Sequence, residues 1–302
     1  MSKYSHTPEH GLKIETVVRF SHIYVIQSLG QAEFHSGRQL YDKVLKKQAE
    51  SLGWLNVVYR EIDTATQLFD LLEEIAENAK NKKEMPLLHF ETHGSKEGLT
   101  LTEEYVSYIK LLPDLRKINV LTCNNLFIIV AACQGAYLRD ILIPSLGEES
   151  PFWGVCGPSD ELNGQILLEG YSAFYEECFK TENILAGFNR LQEIGESHGK
   201  DFNVWNSEYL FLLAFRKYLQ NHCNEEQIEE SVKRLRAMAK AQYGNYIDTP
   251  ERSEMVRKRL GSADGQKVSF ENMKSKFFMH EQCPANKNNF NPSFDDMMKM
   301  KI

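Results

Sequence analysis

The 302-residue sequence contains no Cys-x-x-Cys pair, no HExxH, no GxGxxG and no GxxxxGK[ST]. The first two absences remove the usual zinc spacings, and the last two remove the glycine cradle for phosphate-loop nucleotide chemistry. An excess of positive charge is missing too. Lys plus Arg total 35 against 42 Asp plus Glu, a net charge of -7, so the footprint of a nucleic-acid binder is not there. The longest apolar run, residues 126–133, falls far short of the roughly 18 residues that span a membrane, and the opening stretch MSKYSHTPEHGLKIE has no apolar signal region. The six cysteines, at 123, 133, 156, 178, 223 and 283, show no pairing pattern in a chain too long to need staples. These absences predict a soluble protein of the reducing cytoplasm, with no cofactor, no metal, no nucleic acid bound directly and no membrane partner.

What is present fits a folded protein, with 42% hydrophobic and 25% charged residues. Residues 23–28 (IYVIQS) read as a strand, followed by a helix-period pattern through Leu40, Val44, Leu45 and Leu52 that Gly53 ends. Residues 55–62 are the next strand, and Thr64 with Gln67 forms a capping box before the apolar face Leu68, Leu71, Leu72, Ile75 and Ala79. Residues 85–92, 126–132 and 152–157 supply three more strands, and the continuous apolar run LFIIVAA is expected at the sheet centre. Helical patterns follow at 166–179 and 181–194. Alternating strands and helices predict an α/β fold with a mostly parallel sheet flanked by helices. From about residue 200 the periodicity is helical only, so the chain divides into a domain of residues 1–198 and an α-helical extension, 199–302. The Asn-, Lys-, Ser- and Met-rich stretch beyond Gly261 is expected to be a mobile tail.

Parallel sheets place their working residues beyond the carboxyl ends of their strands. One such end carries His93-Gly94, in LLHFETHGSKEGL, and the central run ends at Cys133, in LFIIVAACQGAYL. An imidazole facing a thiol can take its proton and make a nucleophile for acyl carbons. Gly94 and Cys133 can offer backbone amides as an oxyanion hole. A metal reading of His89, Glu91 and His93, which share a strand face, lacks further ligands of recognisable spacing. His35 is a possible support near the site.

The string Ala-Cys-Gln-Gly after an apolar strand, with His-Gly after another, resembles the caspase-like clan CD cysteine peptidases, most of all the prokaryotic CHAT-domain group. The resemblance spans about residues 20–194. It implies a caspase-like fold, a catalytic dyad of His93 and Cys133, and endopeptidase cleavage of a partner protein in a regulated defence or stress system, with a regulatory protein or small signalling ligand as activator. Ala131 departs from the pattern, standing where caspases carry a pocket-lining Gln and metacaspases an Asp. The alternative is a non-catalytic caspase-fold scaffold that recruits partners through its helical extension. Ala131 offers no charge, so the pocket floor is expected to be apolar and to favour a Leu-like or Met-like residue before the cut. Arg or Lys, read by Asp160 or Glu161 unless their loop is a plain turn, is the second choice, and Arg38 is either a basic pocket residue or an exposed residue of the first helical turn.

Overall fold

The computed structural model describes residues 2–6, 14–243 and 250–300; residues 7–13 of the opening stretch and 301–302 of the tail lie outside the described residues. Strands β1 (Ser2–His6) and β2 (Ile14–Val18) pair antiparallel as a sheet of their own. The main sheet comprises β3 (His22–Ser28), β4 (Asn56–Glu61), β5 (Pro86–Gly94), β6 (Gly98–Thr100), β7 (Tyr105–Ser107), β8 (Phe127–Ala131), β9 (Gly154–Pro158) and β10 (Phe202–Asn206). Its order is β4-β3-β5-β8-β9-β10. All neighbours along that path are parallel except β10, which runs antiparallel to β9. The short β6–β7 hairpin continues from the end of β5. The protein is thus an α/β fold with a mostly parallel sheet flanked by helices, consistent with the caspase-like architecture that the resemblance implies.

Local chemistry explains most of the elements. Every residue of β8 is buried, as a strand covered on both faces requires. Thr64 and Gln67 form the reciprocal cap of the helix Ala65–Lys82, which buries Leu68, Leu71, Leu72, Ile75, Ala76 and Ala79. The helical stretch 36–52, π-wound over Tyr41–Leu45, stops at Gly53, whose φ of 65° suits a residue without a Cβ. Between β7 and β8 the sequence periodicity gave no element. The structure has the helix Tyr108–Leu121 there, with Pro113 inside it, an unusual position that hides the helical period.

The division at residue 198 is not how the chain is built. Strand β10 lies beyond it and completes the edge of the sheet, its residues Phe202–Asn206 pairing with Gly154–Pro158. Phe211 and Phe215, on the helix Ser207–His222, belong to the same hydrophobic cluster as the sheet residues. The stretch beyond Gly261, expected to be a mobile tail, is part of that cluster too. Phe270, Phe277, Phe278, Phe290 and Met297 are buried in it, and the Phe211 ring lies 5.2 Å from Phe270 and from Phe277. Aromatics widely spaced in a polar background can fill a core without producing a strong helical stripe, which is why composition misread this segment.

The cysteine reading needs the same correction. Cys123 and Cys283 form a disulfide, Cα atoms 5.7 Å apart and 160 residues apart in sequence, which fastens this last segment to the turn before β8. A pair so distant leaves no local spacing to recognise. Asn286 adds a second tie, its side-chain amide donating to the Cys123 carbonyl at 3.1 Å.

Candidate active site

The parallel register of β5 and β8 sets Glu91 against Ala131; His93 stands near the end of β5, and Cys133 in the turn directly after β8. Both side chains line one cleft of about 140 Å³ at the carboxyl edge, walled by Leu29, Phe34, Leu162 and Leu167. The expected dyad residues are therefore brought together.

Each is held by its own local structure. The Gly135 amide donates to the Ala132 carbonyl at 3.0 Å, closing a turn with Cys133 and Gln134 as central residues. Gln134 takes a left-handed φ of 58°, a conformation usually left to Gly at that turn position, and its amide is anchored on the Asp160 carbonyl at 3.1 Å. A Cβ on Gly135 would collide with the Val130 carbonyl, which accounts for the glycine after Cys-Gln.

His93 projects from the end of β5, its side chain 58% exposed, with Nε2 2.6 Å from Glu33 Oε1. Glu33, in the loop after β3, also accepts from the Gly30 amide. That amide first, and His93 second, hold the Glu33 carboxyl below the usual range. In the neutral imidazole, an Nε2–H donated to Glu33 leaves Nδ1 as the unprotonated nitrogen, the tautomer a base needs. The Cys133 thiol donates to the Leu162 carbonyl at 3.6 Å, and no hydrogen bond joins the two dyad side chains among the described residues. Of the other free thiols, burial pushes Cys178 up to about 12 and raises Cys156 and Cys223. None of these three lines the cleft.

Gly94 meets the nucleophile strand at close range. A Cβ there would lie 2.8 Å from the Cys133 carbonyl oxygen and 2.9 Å from Ala132 Cβ, closer than real side chains come. Gly94→Ala is therefore expected to push β5 and β8 apart at their ends, costing about 1–3 kcal/mol by overpacking. Turnover should fall at least about tenfold, because a displacement near 1 Å misaligns reacting groups. Melting curves beside steady-state rates will check it; unchanged values for both would mean the contact is loose.

Other expected site residues fall differently. Ala131 does line the cleft. Arg38 does not: it is exposed, its Nε 2.7 Å from Asp42 Oδ2 and its guanidinium 5.0 Å over the Tyr59 ring, because its helical position offers the i,i+4 carboxylate as partner. Asp160 and Glu161 are exposed and outside the lining, to which their loop contributes Leu162 and Gly164 instead. Asp160 serves through its backbone carbonyl alone. His35 supports Gln27, whose Nε2 lies 2.6 Å from its Nδ1. His89 and Glu91 are buried and bonded to one another at 3.0 Å, whereas His93 leaves the strand for Glu33, so the three do not converge on a metal-sized point.

Four polar cleft residues had no site role in the sequence reading beyond the discarded metal one: Glu33, Ser36, Glu91 and Thr92. Glu91 was legible by strand period, two residues before His93 on the same face. Glu33 and Ser36 sit on a loop and a helix start whose path periodicity does not fix. A scan against protein-family models and a search of the curated proteins both find no match to this chain.

Proposed function

We propose that the protein is a cysteine endopeptidase in which Cys133 is the nucleophile and His93 the general base. The observation that carries this reading is the shared cleft: a thiol and an imidazole at the ends of two adjacent parallel strands line one cavity. In the resting site the thiol rests on Leu162; turning Sγ toward His93 Nδ1 allows the proton to pass to the imidazole. The thiolate then attacks the scissile carbonyl carbon. The amides of Gly94 and Cys133 stabilise the oxyanion, and His93 returns the proton to the leaving amine. Water, deprotonated by His93, hydrolyses the acyl-enzyme and regenerates the thiol. Glu33 acts as a positioning residue, fixing the imidazole tautomer.

The substrate proposed is a partner protein in a prokaryotic defence or stress response, cleaved in the cytoplasm under the control of a protein or small-ligand activator. Among the described residues no helix is long and apolar enough to cross a membrane. The rival reading, a scaffold of the same fold, draws on the Leu162 bond and on the missing hydrogen bond between the dyad side chains. Incubation with a peptide library and with simple esters separates the readings. Peptide cleavage that Cys133→Ala abolishes supports the endopeptidase, ester turnover alone points to a small-molecule hydrolase, and no turnover in any activating context points to the scaffold.

A further inference from the structure

Gln27, Glu91 and Ala131 are register partners on β3, β5 and β8, and the last two line the cleft. Glu91 lies two residues before His93 on β5, hence on the same face of the sheet, and Cys133 follows Ala131 in the turn after β8. Glu91 is only 1% exposed, yet it lines the cleft. Its stem is pinned by the helix start, where a Cβ on Gly37 would lie 2.8 Å from Glu91 Cγ.

The carboxylate is held by a hydroxyl and an imidazole. Ser36 Oγ donates to Oε2 at 2.6 Å, and Oε1 lies 3.0 Å from His89 Nε2. His89 Nδ1 in turn lies 3.0 Å from the Tyr175 hydroxyl. A neutral imidazole satisfies both contacts: the Tyr175 hydroxyl donates to Nδ1, and Nε2–H donates to Glu91. No Lys or Arg among the described residues pairs with this carboxylate. Each of its oxygens keeps a lone pair for one more donor. A buried carboxylate facing a cleft without a fixed cation is costly to leave so.

We infer that this cleft accepts a basic residue, Lys or Arg, immediately before the scissile bond, its cationic head on Glu91 and its methylene stem between Leu29, Phe34, Leu162 and Leu167. The inference rests on the peptidase reading and replaces the apolar floor expected from Ala131: the charge that Ala131 lacks comes from its neighbour across the sheet. It also replaces Asp160 and Glu161 as readers of a basic side chain. An Asp side chain would meet Glu91 below and Glu33 at the mouth, two like charges. A Leu side chain would cover Glu91 without giving it a partner.

Two measurements on the full chain test this. In the first, kcat/KM is compared for peptides differing only in the residue before the cut. Arg and Lys should exceed Leu at least about tenfold, and Asp by more, since a site built around a buried polar group rejects ligands that leave it unpaired. Glu91→Gln, which can still accept from His89 and donate to Ser36, should erase that advantage. Fastest cleavage after Leu or Asp, or an Arg preference that survives Glu91→Gln, would overturn the assignment. The second measurement omits the nucleophile. Calorimetry on Cys133→Ala should show acetyl-arginine amide binding at least about tenfold more tightly than acetyl-leucine amide, with that margin lost on adding Glu91→Gln. Absent binding, or equal binding of the two amides, overturns the pocket even if peptides are cleaved. Selective binding without any turnover keeps the pocket and refutes the peptidase. Should Glu91→Gln fail to fold, Glu91→Asp retains the charge but withdraws it by one methylene, and it should favour the longer Arg over Lys; an unchanged Arg-to-Lys ratio would count against Glu91.

Discussion

His93→Ala and Cys133→Ala are each expected to lower peptide turnover on the order of 10⁴-fold or more, and the double variant no further. Nucleophile and base act as a unit, so removing either leaves only binding and oxyanion stabilisation. The fold should barely register the changes. His93 is largely exposed and Cys133 half-buried at a strand end, so neither truncation opens a cavity in the packed middle of the sheet. Steady-state rates and thermal melts of the three variants, taken in the same activating conditions, supply the comparison. Near-wild-type turnover in His93→Ala would remove the imidazole from the mechanism. A melt lowered by many degrees would show instead that the residue is structural.

Removal of residues 262–302 is expected to unfold the chain. Phe270, Phe277 and Phe278 are completely buried, and losing a buried Phe costs about 3–5 kcal/mol each. The deletion also strips cover from Phe211 and Phe215, and it removes the Cys123–Cys283 bond. For a loop of 160 residues chain entropy puts that bond at about 5 kcal/mol. The total, about 14–20 kcal/mol, matches or exceeds the roughly 5–15 kcal/mol by which domains are stable, so the truncated protein should be insoluble or lack a cooperative melt. Reduction of the intact chain removes the disulfide contribution alone and should lower the denaturation midpoint while leaving a folded state. Soluble expression of the truncation with a wild-type melt would mean that the Phe cluster is dispensable. The same measurement in reductant shows how the protein fares in the cytoplasm proposed for it.

The contrast between these two regions shows what a sequence displays. Strands β3, β5 and β8 announce themselves through short runs that are largely apolar, and the Thr64–Gln67 cap through a fixed spacing, because period and spacing are local properties. The His93–Cys133 pairing was legible for a related reason: both residues end such runs, and adjacent parallel strands need only a register to bring their ends together. Strand β10 was hidden because an antiparallel edge strand of five residues is too short to show a period between helices. The Cys123–Cys283 bond and the Phe211–Phe270 contact depend on where the chain returns after long excursions. Glu91 is the instructive case. Its strand face could be read from the period, but its meaning required knowing that no Lys or Arg meets it and that Ala131 lies beside it.

The most direct test of the central claim is to treat the protein with a peptidyl acyloxymethyl ketone and map the adduct by intact mass and peptide sequencing. A single thioether on Cys133, absent in Cys133→Ala and strongly slowed in His93→Ala, is the predicted result. Modification of Cys156, Cys178 or Cys223 in its place, or labelling of Cys133 at a rate indifferent to His93, would contradict it.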